Sequence, residues 1–584
     1  MKIFKRLFVF WMVTFMTVSM FACNFGKLNG NGGGDNGSGN KPTLSTTEFS
    51  ALSYTKPVSV EDIDAYAAEV KKQSGGKNND PLENGIVICP YYTLTVNGKQ
   101  VPVYTTRCSK GTHSFAWIDV TGAPEEFALD VELNTERKYS AVVVLPEKSG
   151  VKAELSNYTV TARITEYGDY SFAFATDSRK TFKVNNQPLT LIVAPQQTPK
   201  VPEGYDYIEI EPAKYGYQDL VLSGDNTFYR FKGGEYEIRR IIAKNLENVQ
   251  FYFDPGTYIT VYETPDQGLD AYNIGGPVFG IQNCNNVRIE GRALFDFSGV
   301  RGMYKDPVTG NQIDMTQYVF NFYNNKNMYV SGITTINSNH WTFRIGACED
   351  ILSEWNMMLG YRNYSDGFIY SDCRNATARY MFARTGDDGI EVKALGSYGG
   401  YRDTIPYATN VLFEKCTAWN DEAAAMGVIY ENYKPIDGVT FRDCSVGFTS
   451  CSWSPNNSAL NIRLSYPGKG HWKNITFENI EIFECISNAF TLEWNLEGGS
   501  VENVLVKDLT VRNAAAAMRV NVDTSPVIPD QTLKALCKNF IFENLVFMGQ
   551  KLTEEDKENK LYFSYSKMDG VSPAQEYMDL FTLK

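Results

Sequence analysis

The segment NITFENIEI, residues 474–482, decides the fold because versions of it recur along the second half of the chain. Clear copies begin at residues 286, 327, 410, 438, 474, 503 and 539, and weaker copies begin at residues 350 and 375. The intervals between neighbouring copies run from 23 to 41 residues, and no helical pattern separates them. Short strand-like repeats at such intervals are typical of a solenoid, in which each repeat stacks on the next.

A parallel β-helix is the solenoid that fits these repeats best. Most copies begin with Asn, which tolerates the left-handed backbone conformation of a tight turn between strands. A β-propeller would need four strands in a regular repeat of about 40 residues, and the irregular intervals argue against it. We therefore predict an all-β protein in which residues 201–550 form a right-handed parallel β-helix and residues 551–584 form a C-terminal cap segment.

A second kind of pattern precedes the repeats. Runs such as NYTVTARIT (157–165) and YSFAFAT (170–176) alternate apolar and polar residues and are separated by turn residues at intervals of roughly ten. This pattern predicts an antiparallel β-sandwich over residues 51–200. Cys89 and Cys108 flank a hairpin signal in this region, and they could either form a disulfide across the hairpin or remain free.

The start of the chain predicts export. A positively charged end and an apolar run from Leu7 to Met20 lead to MFAC, residues 20–23, which resembles a bacterial lipoprotein signal with Cys23 as the lipidated residue. An ordinary secretory signal is the alternative. The Gly/Asn/Ser-rich residues 24–50 would form a flexible tether to the outer membrane of the cell envelope. No later run reaches the roughly 18 apolar residues that a membrane-spanning helix needs.

Charge and composition limit the partners. The net charge of −13 argues against nucleic acid, because a phosphate-binding face needs clustered Lys and Arg. With only three histidines, the chain has little room for a histidine-rich metal site. We therefore expect a neutral ligand, no nucleic-acid partner and no cofactor, and the oligomeric state stays open.

Two acidic segments follow each other at the distance of one β-helix coil. NYSDGFIYSD (363–372) contains Asp366, and RTGDDGIEVK (384–393) contains Asp387 and Asp388. Residues one coil apart stack, and the adjacent pair can share one face if the strand ends there, which the flanking glycines allow. Inverting glycoside hydrolysis needs one protonated carboxyl group as acid and one carboxylate to activate water. The same residues could instead be turn and cap residues.

The order SDG, then GDDG one coil later, on an Asn-rich β-helix behind a sandwich, resembles the clan of β-helix glycoside hydrolases. That clan contains the polygalacturonase and the dextranase/isopullulanase families. The sandwich and the segment CTAWNDEAAAMGVIYENYKPIDGVTF (416–441) resemble the dextranase/isopullulanase family more closely. The resemblance implies hydrolysis of an α-linked polysaccharide with inversion, with Asp387 as the general acid and with Asp366 and Asp388 directing the attacking water.

Departures from the polygalacturonase pattern bear on the substrate. The RIK motif of that family reads IRLS here, so that Arg463 is kept and Ser465 replaces the lysine that would hold a uronate carboxylate. No histidine lies near Met426 and Gly427, where the family carries a GHG turn. These differences favour a neutral glycan, with dextran- or pullulan-like glucan as the first expectation. A pectin-type hydrolase is the alternative.

Aromatic and basic residues near the acidic segments are candidates for substrate binding, because flat rings can stack on sugar faces. The candidates are Trp341, Tyr364, Lys393, Trp419, Tyr430 and Arg463. Arg384 and Lys393 bracket the doublet and could tune its ionisation or be solvated charges, and His340 is expected to be structural.

Two rival functions remain. A lyase would need a basic residue to abstract a proton, and a non-catalytic glycan-binding lipoprotein would not require three aspartates in register.

Overall fold

The computed structural model describes residues 47–584 with internal gaps. The gaps are residues 63, 67, 69–84, 216–218, 262–277, 301–303, 306–311, 314–318, 396–407, 451–452, 455–456, 465–470, 496–499, 524–536 and 568–574. Cys23, the predicted signal and most of the predicted tether lie outside the described residues. Helical residues in the described part are 64–66 and 68, the 3-10 turns Glu147–Ser149 and Glu554–Glu558, and the α-helix Gln575–Met578. No helix among the described residues is long and apolar enough to span a membrane.

Two sheets form the N-terminal sandwich. The first contains Phe49–Ala51, Ile86–Ile88, Tyr104–Cys108, Gly111–Val120, Ala141–Leu145, Gly168–Ala175 and Leu189–Pro195. The second contains Tyr92–Val96, Lys99–Val101, Leu129–Thr135, Ala153–Ser156 and Thr159–Ile164. Strand pairs are antiparallel except that Leu189–Pro195 runs parallel to Gly111–Val120. Apolar side chains of both sheets share one core, in which Leu94 and Leu133 meet Phe172.

The cysteines that flank the predicted hairpin are both free. The hairpin itself is confirmed, because Val96 pairs with Lys99 around an Asn97-Gly98 turn. After this hairpin, however, the chain crosses to the other sheet. The Cys89 N–H donates to the Val103 carbonyl at 2.8 Å, whereas Cys108 pairs with Gly111 at the far end of the next strand. This separation explains why the two cysteines are free rather than joined in a disulfide.

The second half of the chain forms a parallel β-helix, as predicted. Its described strands are Asp206–Ile210, Asp219–Leu222, Thr227–Phe231, Gly234–Ile238, Arg240–Lys244, Glu247–Val261, Phe279–Gln282, Asn285–Asp296, Phe320–Tyr323, Lys326–Ser331, Ile333–Ile336, Phe343–Gly346, Glu349–Glu354, Met357–Leu359, Phe368–Ser371, Arg374–Arg379, Phe382–Thr385, Ile390–Lys393, Ala408–Glu414, Thr417–Asn420, Met426–Val428, Ile436–Arg442, Ser445–Thr449, Ser458–Leu464, His471–Asn495, Ser500–Val511, Ala514–Asp523, Cys537–Glu543, Val546–Phe547, Gln550–Lys551, Phe563–Lys567 and Thr582–Leu583. A small hairpin, Tyr304–Lys305 with Gln312–Ile313, stands apart from this sheet.

Apart from the antiparallel pair Val546–Phe547 and Gln550–Lys551, strands pair in parallel with the equivalent strands of neighbouring coils, so side chains at equivalent positions stack along the axis. Phe413, Phe441 and Phe477 form such a stack in the core, with ring centroids 4.8 and 4.9 Å apart and planes within 6° of parallel. Stacked rings of this kind bury a large apolar area and fix the register, because a slip of one residue would move them to the outer face.

The Asn residues that open the repeats adopt the predicted left-handed conformation. Positive φ angles of 52° to 59° occur at Asn286, Asn327, Asn410, Asn474, Asn503 and Asn539, and the copy that begins with Gly438 has a φ of 83°. Their side chains also bond along the stack. The Asn539 amide donates to Asn503 at 3.0 Å, and the Asn503 amide donates to Asn474 at 3.0 Å. The repeated Asn therefore serves both the turn and the ladder.

The sandwich packs directly against the β-helix. Phe115 and Trp117 of the sandwich share an apolar cluster with Phe382 of the β-helix. At the same interface the guanidinium of Arg292 donates to the Asp119 carboxylate at 2.6 Å, and both side chains are buried. The N-terminal sheets therefore contact the same coils that carry the acidic segments.

Candidate active site

The Asp387-Asp388 doublet lies in a turn between two strands. Phe382–Thr385 ends before it and Ile390–Lys393 begins after it, so the two side chains do not alternate as they would in a strand. The flanking glycines are required by close stacking of coils. A Cβ on Gly386 would lie 2.6 Å from the Arg362 carbonyl oxygen, and one on Gly389 would lie 2.3 Å from that of Ala425.

Register places Asp366 level with Asp388. Phe368 pairs with Ile390, and the Gly367 N–H donates to the Asp388 carbonyl at 2.8 Å. The expected stacking is therefore present, but its partner is the second aspartate of the doublet rather than the first. Asp366 and Asp388 are buried, whereas Asp387 is half-buried.

Backbone N–H groups hold the doublet in place. The Asp387 carboxyl group accepts the N–H of Tyr364 at 2.9 Å and the N–H of Asp388 at 3.0 Å. The Asp388 carboxyl group accepts the N–H of Ala424, one coil further on, at 3.1 Å. Asn420 braces the same turn, because its amide donates to the carbonyls of Asp387 and Ala424.

Two carboxylates that sequence reasoning missed complete the cluster. Glu391 is buried, and its ligand oxygen lies within 4.8 Å of those of Asp366 and Asp388. Glu431 pairs with the Lys393 ammonium at 2.6 Å. The alternation of the strand gave a signal for Glu391, since residues 391 and 393 point to the same face. Glu431 follows a strand and carries no such signal.

Lys393 is the buried cation of this cluster. Its ammonium lies 3.1 Å from Glu391 and 3.9 Å from Asp366, in addition to its pair with Glu431. Burial alone would lower the pKa of Lys393, but these carboxylates outweigh it and hold the pKa well above its usual value. Among the described residues, Asp366, Asp388 and Glu391 are the one group of carboxylates close enough to surround a cation.

Burial raises the pKa of each aspartate. Loss of water, reinforced by the neighbouring Asp388, raises the pKa of Asp387 to about 8. The pKa of Asp366 lies well above its ordinary value because of burial and then because of Asp387 and Glu391. Burial also raises the pKa of Asp388, although Lys393 and Arg463 oppose the shift. Crowded carboxyl groups with little water cannot all ionise near neutral pH.

Tyr364 and Trp341 lie beside the cluster, as expected. The Tyr364 side chain is 43 % exposed, and its ring lies parallel to that of His340 with centroids 6.2 Å apart. Its backbone N–H donates to the Asp387 carboxyl group, so the residue that carries this exposed ring adjoins the doublet. Trp341 is buried, and the Lys393 ammonium lies 5.1 Å from its ring centroid. Tyr364 can therefore offer a stacking surface, whereas Trp341 supports Lys393.

Arg463 and Tyr430 pack against each other near Asp388. The Arg463 guanidinium lies 3.9 Å from the centroid of the Tyr430 ring and donates to Glu493 at 2.6 Å. Arg463 and Glu493 are buried, and Tyr430 is half-buried. Ser465, which replaces the lysine of the polygalacturonase motif, lies outside the described residues.

Trp419 does not contact the cleft, which corrects the prediction that it binds substrate. Its side chain is 0 % exposed, and its ring packs 5.3 Å from His113 of the sandwich and 4.8 Å from Phe448. Arg384 is also buried, where it pairs with Asp421 at 3.2 Å and donates to sandwich carbonyls. Both residues join the two parts of the molecule.

A hairpin tip of the sandwich supports the turns around the doublet. The Ser109 hydroxyl donates to the Tyr361 carbonyl at 2.6 Å. Next to it, the Lys110 N–H donates to Asp421 at 2.9 Å, and the Lys110 ammonium pairs with Glu422 at 2.9 Å.

The contacts of Ser109 and Lys110 are with two segments that hold the acidic cluster from two sides. The segment 361–364 ends in the N–H that binds Asp387, and the segment 421–424 ends in the N–H that binds Asp388. The sandwich thus touches the segments that position the doublet, a role that sequence reasoning did not detect because the contacts join residues more than 250 positions apart.

Comparison with known proteins places this site within a family. The family model described as "Glycosyl hydrolases family 28" matches residues 244–554, and no curated protein matches the chain significantly. Similar solved structures include a family 28 exopolygalacturonase from Yersinia enterocolitica (11 % identity, 78 % of this chain and 98 % of that chain, TM-score 0.42). A second is the polygalacturonase of Erwinia carotovora ssp. carotovora (12 % identity, 66 % of this chain and 99 % of that chain, TM-score 0.41). A third is a GH87 α-1,3-glucanase from Streptomyces thermodiastaticus strain HF3-3 (12 % identity, 85 % of this chain and 84 % of that chain, TM-score 0.36).

The family match covers both acidic segments and more than half of the chain. The matched model is that of family 28, so the closer likeness to the dextranase/isopullulanase family is not confirmed. The chain belongs to glycosyl hydrolase family 28 and is a glycoside hydrolase of the β-helix type.

Proposed function

We propose that this hydrolase cleaves an α-linked polysaccharide with inversion, using Asp387 as the general acid and using Asp366 and Asp388 to direct the attacking water. The observation that carries the assignment is the contrast within the cluster. Asp387 is half-buried, whereas Asp366 and Asp388 are buried, so a leaving oxygen can reach Asp387, and its pKa of about 8 keeps it protonated at neutral pH.

The chemistry follows from these positions. The Asp387 carboxyl group gives its proton to the glycosidic oxygen as the bond to the anomeric carbon breaks. On the other side of the sugar, a water held by Asp366 and Asp388 attacks that carbon and loses a proton to one of them. Tyr364 offers a ring against which a sugar can stack beside the acid.

We further propose that the sugar next to the site is neutral. Lys393 and Arg463, the two cations that the sequence suggests for substrate binding, already have carboxylate partners, since Lys393 pairs with Glu391 and Glu431 and Arg463 pairs with Glu493. A uronate would have to compete with these partners and would meet the negative charge of the cluster. A dextran- or pullulan-like α-glucan fits this environment better.

A galacturonan is the second candidate, because the family match favours it. The matched family includes exopolygalacturonases among its solved members. Lys393 could then bind a uronate by exchanging Glu431, which is the more exposed of its partners.

Reducing-sugar release by residues 41–584 distinguishes the two substrates. The panel contains dextran, pullulan, α-1,3-glucan and polygalacturonate, with Asp387→Asn as the matched variant and with proton NMR of the first-formed anomer. Activity on one neutral glucan with an inverted product supports the proposal. Activity on polygalacturonate alone supports the second candidate, and no activity on any member, with equal glycan binding by both proteins, contradicts an enzyme.

We also infer that the protein is exported and held at the outer membrane by a lipid on Cys23. The sequence MFAC and the apolar run before it support this inference. Expression of the full chain with Cys23→Ser should release the protein from the membrane fraction, whereas the unaltered chain should remain bound. Equal release of both proteins would favour an ordinary secretory signal.

A further inference from the structure

Glu391 has an environment that its role as a strand residue does not explain. It lies in the strand Ile390–Lys393 and is 0 % exposed. Its neighbours in register are Ile369 on one side and Gly427 on the other, and neither side chain can donate a hydrogen bond. Among the described groups, the Lys393 ammonium lies 3.1 Å from one carboxyl oxygen, and no hydrogen bond of good geometry reaches either oxygen. A buried carboxylate with so few donors is strongly disfavoured.

The groups that face Glu391 are mainly acidic. Asp366 and Asp388 approach from two successive turns, and Asp387 lies beside them. Among the described residues that face Glu391, the one cation is Lys393, 3.1 Å away, and Glu431 competes for it at 2.6 Å. One ammonium cannot balance five carboxylates in a buried site, so the cluster must hold protons.

Distances and donors indicate where one of these protons lies. The Asp388 carboxyl group accepts the Ala424 N–H, and that of Asp387 accepts two backbone N–H groups. In the described part of the structure, no such donor reaches the side chain of Asp366. The Lys393 ammonium is also closer to Glu391, at 3.1 Å, than to Asp366, at 3.9 Å. Asp366 is therefore the better site for the proton and Glu391 the better site for the charge.

We propose that Glu391 is a positioning residue that accepts a hydrogen bond from a protonated Asp366, so that Asp388 alone is the base for the attacking water. This assignment rests on the proposed function and divides the two roles that the aspartates would otherwise share. Lys393 holds the charge of Glu391, and the Asp366 carboxyl group orients water without taking its proton. Burial, with the charges of Asp388 and Glu431 near it, raises the pKa of Glu391, whereas Lys393 and a hydrogen bond with the Asp366 side chain act in the opposite direction.

Infrared difference spectroscopy tests the proton directly and needs no substrate. Asp387→Asn serves as the background, because Asp387 also carries a proton near neutral pH. We expect this protein to show a protonated-carboxyl C=O band that disappears when Asp366→Asn or Glu391→Gln is added. Adding Asp388→Asn should leave the band in place. A band that survives both of the first two changes, or that disappears only with Asp388→Asn, would overturn the proposal.

Kinetics then separates positioning from catalysis. Glu391→Gln should lower kcat about tenfold, equivalent to about 1.4 kcal/mol, with KM unchanged. Asp388→Asn should lower kcat far more than tenfold. Since Gln preserves the size of the side chain, melting temperatures identify any variant that fails to fold. Unchanged kcat in Glu391→Gln contradicts the positioning role. If no substrate is cleaved by any protein, the proposed function fails, and the infrared result still decides where the proton lies.

Discussion

At the scale of single residues, the site depends on how little water surrounds its carboxyl groups. The short spacing between SDG and GDDG was sufficient to predict that Asp366 and the doublet share one face. It could not distinguish Asp387 from Asp388 as the stacking partner, because an offset of one residue depends on the length of each turn. The alternation of the strand placed Glu391 on the same face as Lys393, but its approach to Asp366 and Asp388 depends on side chains that meet across coils. The burial of Trp419 was not predictable, because it depends on contacts between the two parts of the molecule.

The raised pKa of Asp387 predicts a pH dependence. Because the acid must be protonated to act, kcat/KM should fall as the pH rises through about 8, the pKa that burial and Asp388 give this group. An aspartate with an ordinary pKa would lose its proton near pH 4, and the fall would come about four units earlier. The measurement is a pH-rate profile of the unaltered enzyme on its best substrate. A fall centred near pH 4 would contradict the assignment.

Adding a single methyl group at Gly389 should destabilise the protein. Gly389→Ala would place a Cβ 2.3 Å from the Ala425 carbonyl oxygen of the next coil, so the coils must separate. We expect a loss of about 1–3 kcal/mol in the free energy of unfolding, as for other overpacked sites. Thermal melts provide the measurement. Gly299→Ala is the matched control, since its nearest neighbour would lie 3.7 Å away, and equal melting temperatures for the two variants would contradict the explanation.

At the scale of elements, the hairpin tip formed by Ser109 and Lys110 links the sandwich to the catalytic turns. A signal for the strands on either side was present in the sequence as alternating apolar residues. Their contact with the β-helix was not predictable, because Lys110 meets Asp421 and Glu422 across more than 300 residues of chain. The Asn ladder shows the opposite case. A local turn preference, repeated at each coil, was sufficient to indicate both the turn and the stack.

Lys110→Ala tests the hairpin tip. Removal of its ammonium leaves the buried Glu422 without that partner and loosens the segment whose Ala424 N–H holds Asp388. We expect kcat to fall about tenfold, because small displacements of catalytic groups are costly, while KM changes little. Lys110→Arg should restore most of the rate, and Lys152→Ala, at an exposed position of the same sandwich, should have no effect. A rate unchanged in Lys110→Ala would show that the tip does not support the site.

At the scale of the whole molecule, residues 46–584 form one unit in which the sandwich and the β-helix share an apolar cluster and buried ion pairs. The repeats and the alternating runs were sufficient to predict both architectures, since each has its own periodicity. The packing of the sandwich on the β-helix could not be predicted, because the sequence periodicity of each part says nothing about the surface on which the two parts meet. The substrate was harder still, because the pairing of Lys393 and Arg463 with acidic residues appears only in the folded chain.

Asp119→Asn tests the interface. The change leaves the buried guanidinium of Arg292 without a charged partner, and breaking such a pair costs about 3–5 kcal/mol. Calorimetry should show a lower melting temperature. Asp130→Asn breaks an exposed pair with Arg163 in the same sandwich and should cost less than about 1 kcal/mol. If both variants melt alike, the interface pair does not stabilise the molecule.

The most direct test of the central claim compares Asp387→Asn with Asp366→Asn on two substrates, the best glycan and an aryl glycoside of the same sugar with an activated leaving group. A good leaving group needs no proton. Loss of the acid should therefore lower the rate on the glycan by a factor of about 10²–10⁴ and change the rate on the aryl glycoside little. The Asp366→Asn variant should be impaired on both, because attack by water is common to them. Equal losses by Asp387→Asn on the two substrates would contradict its role as the general acid.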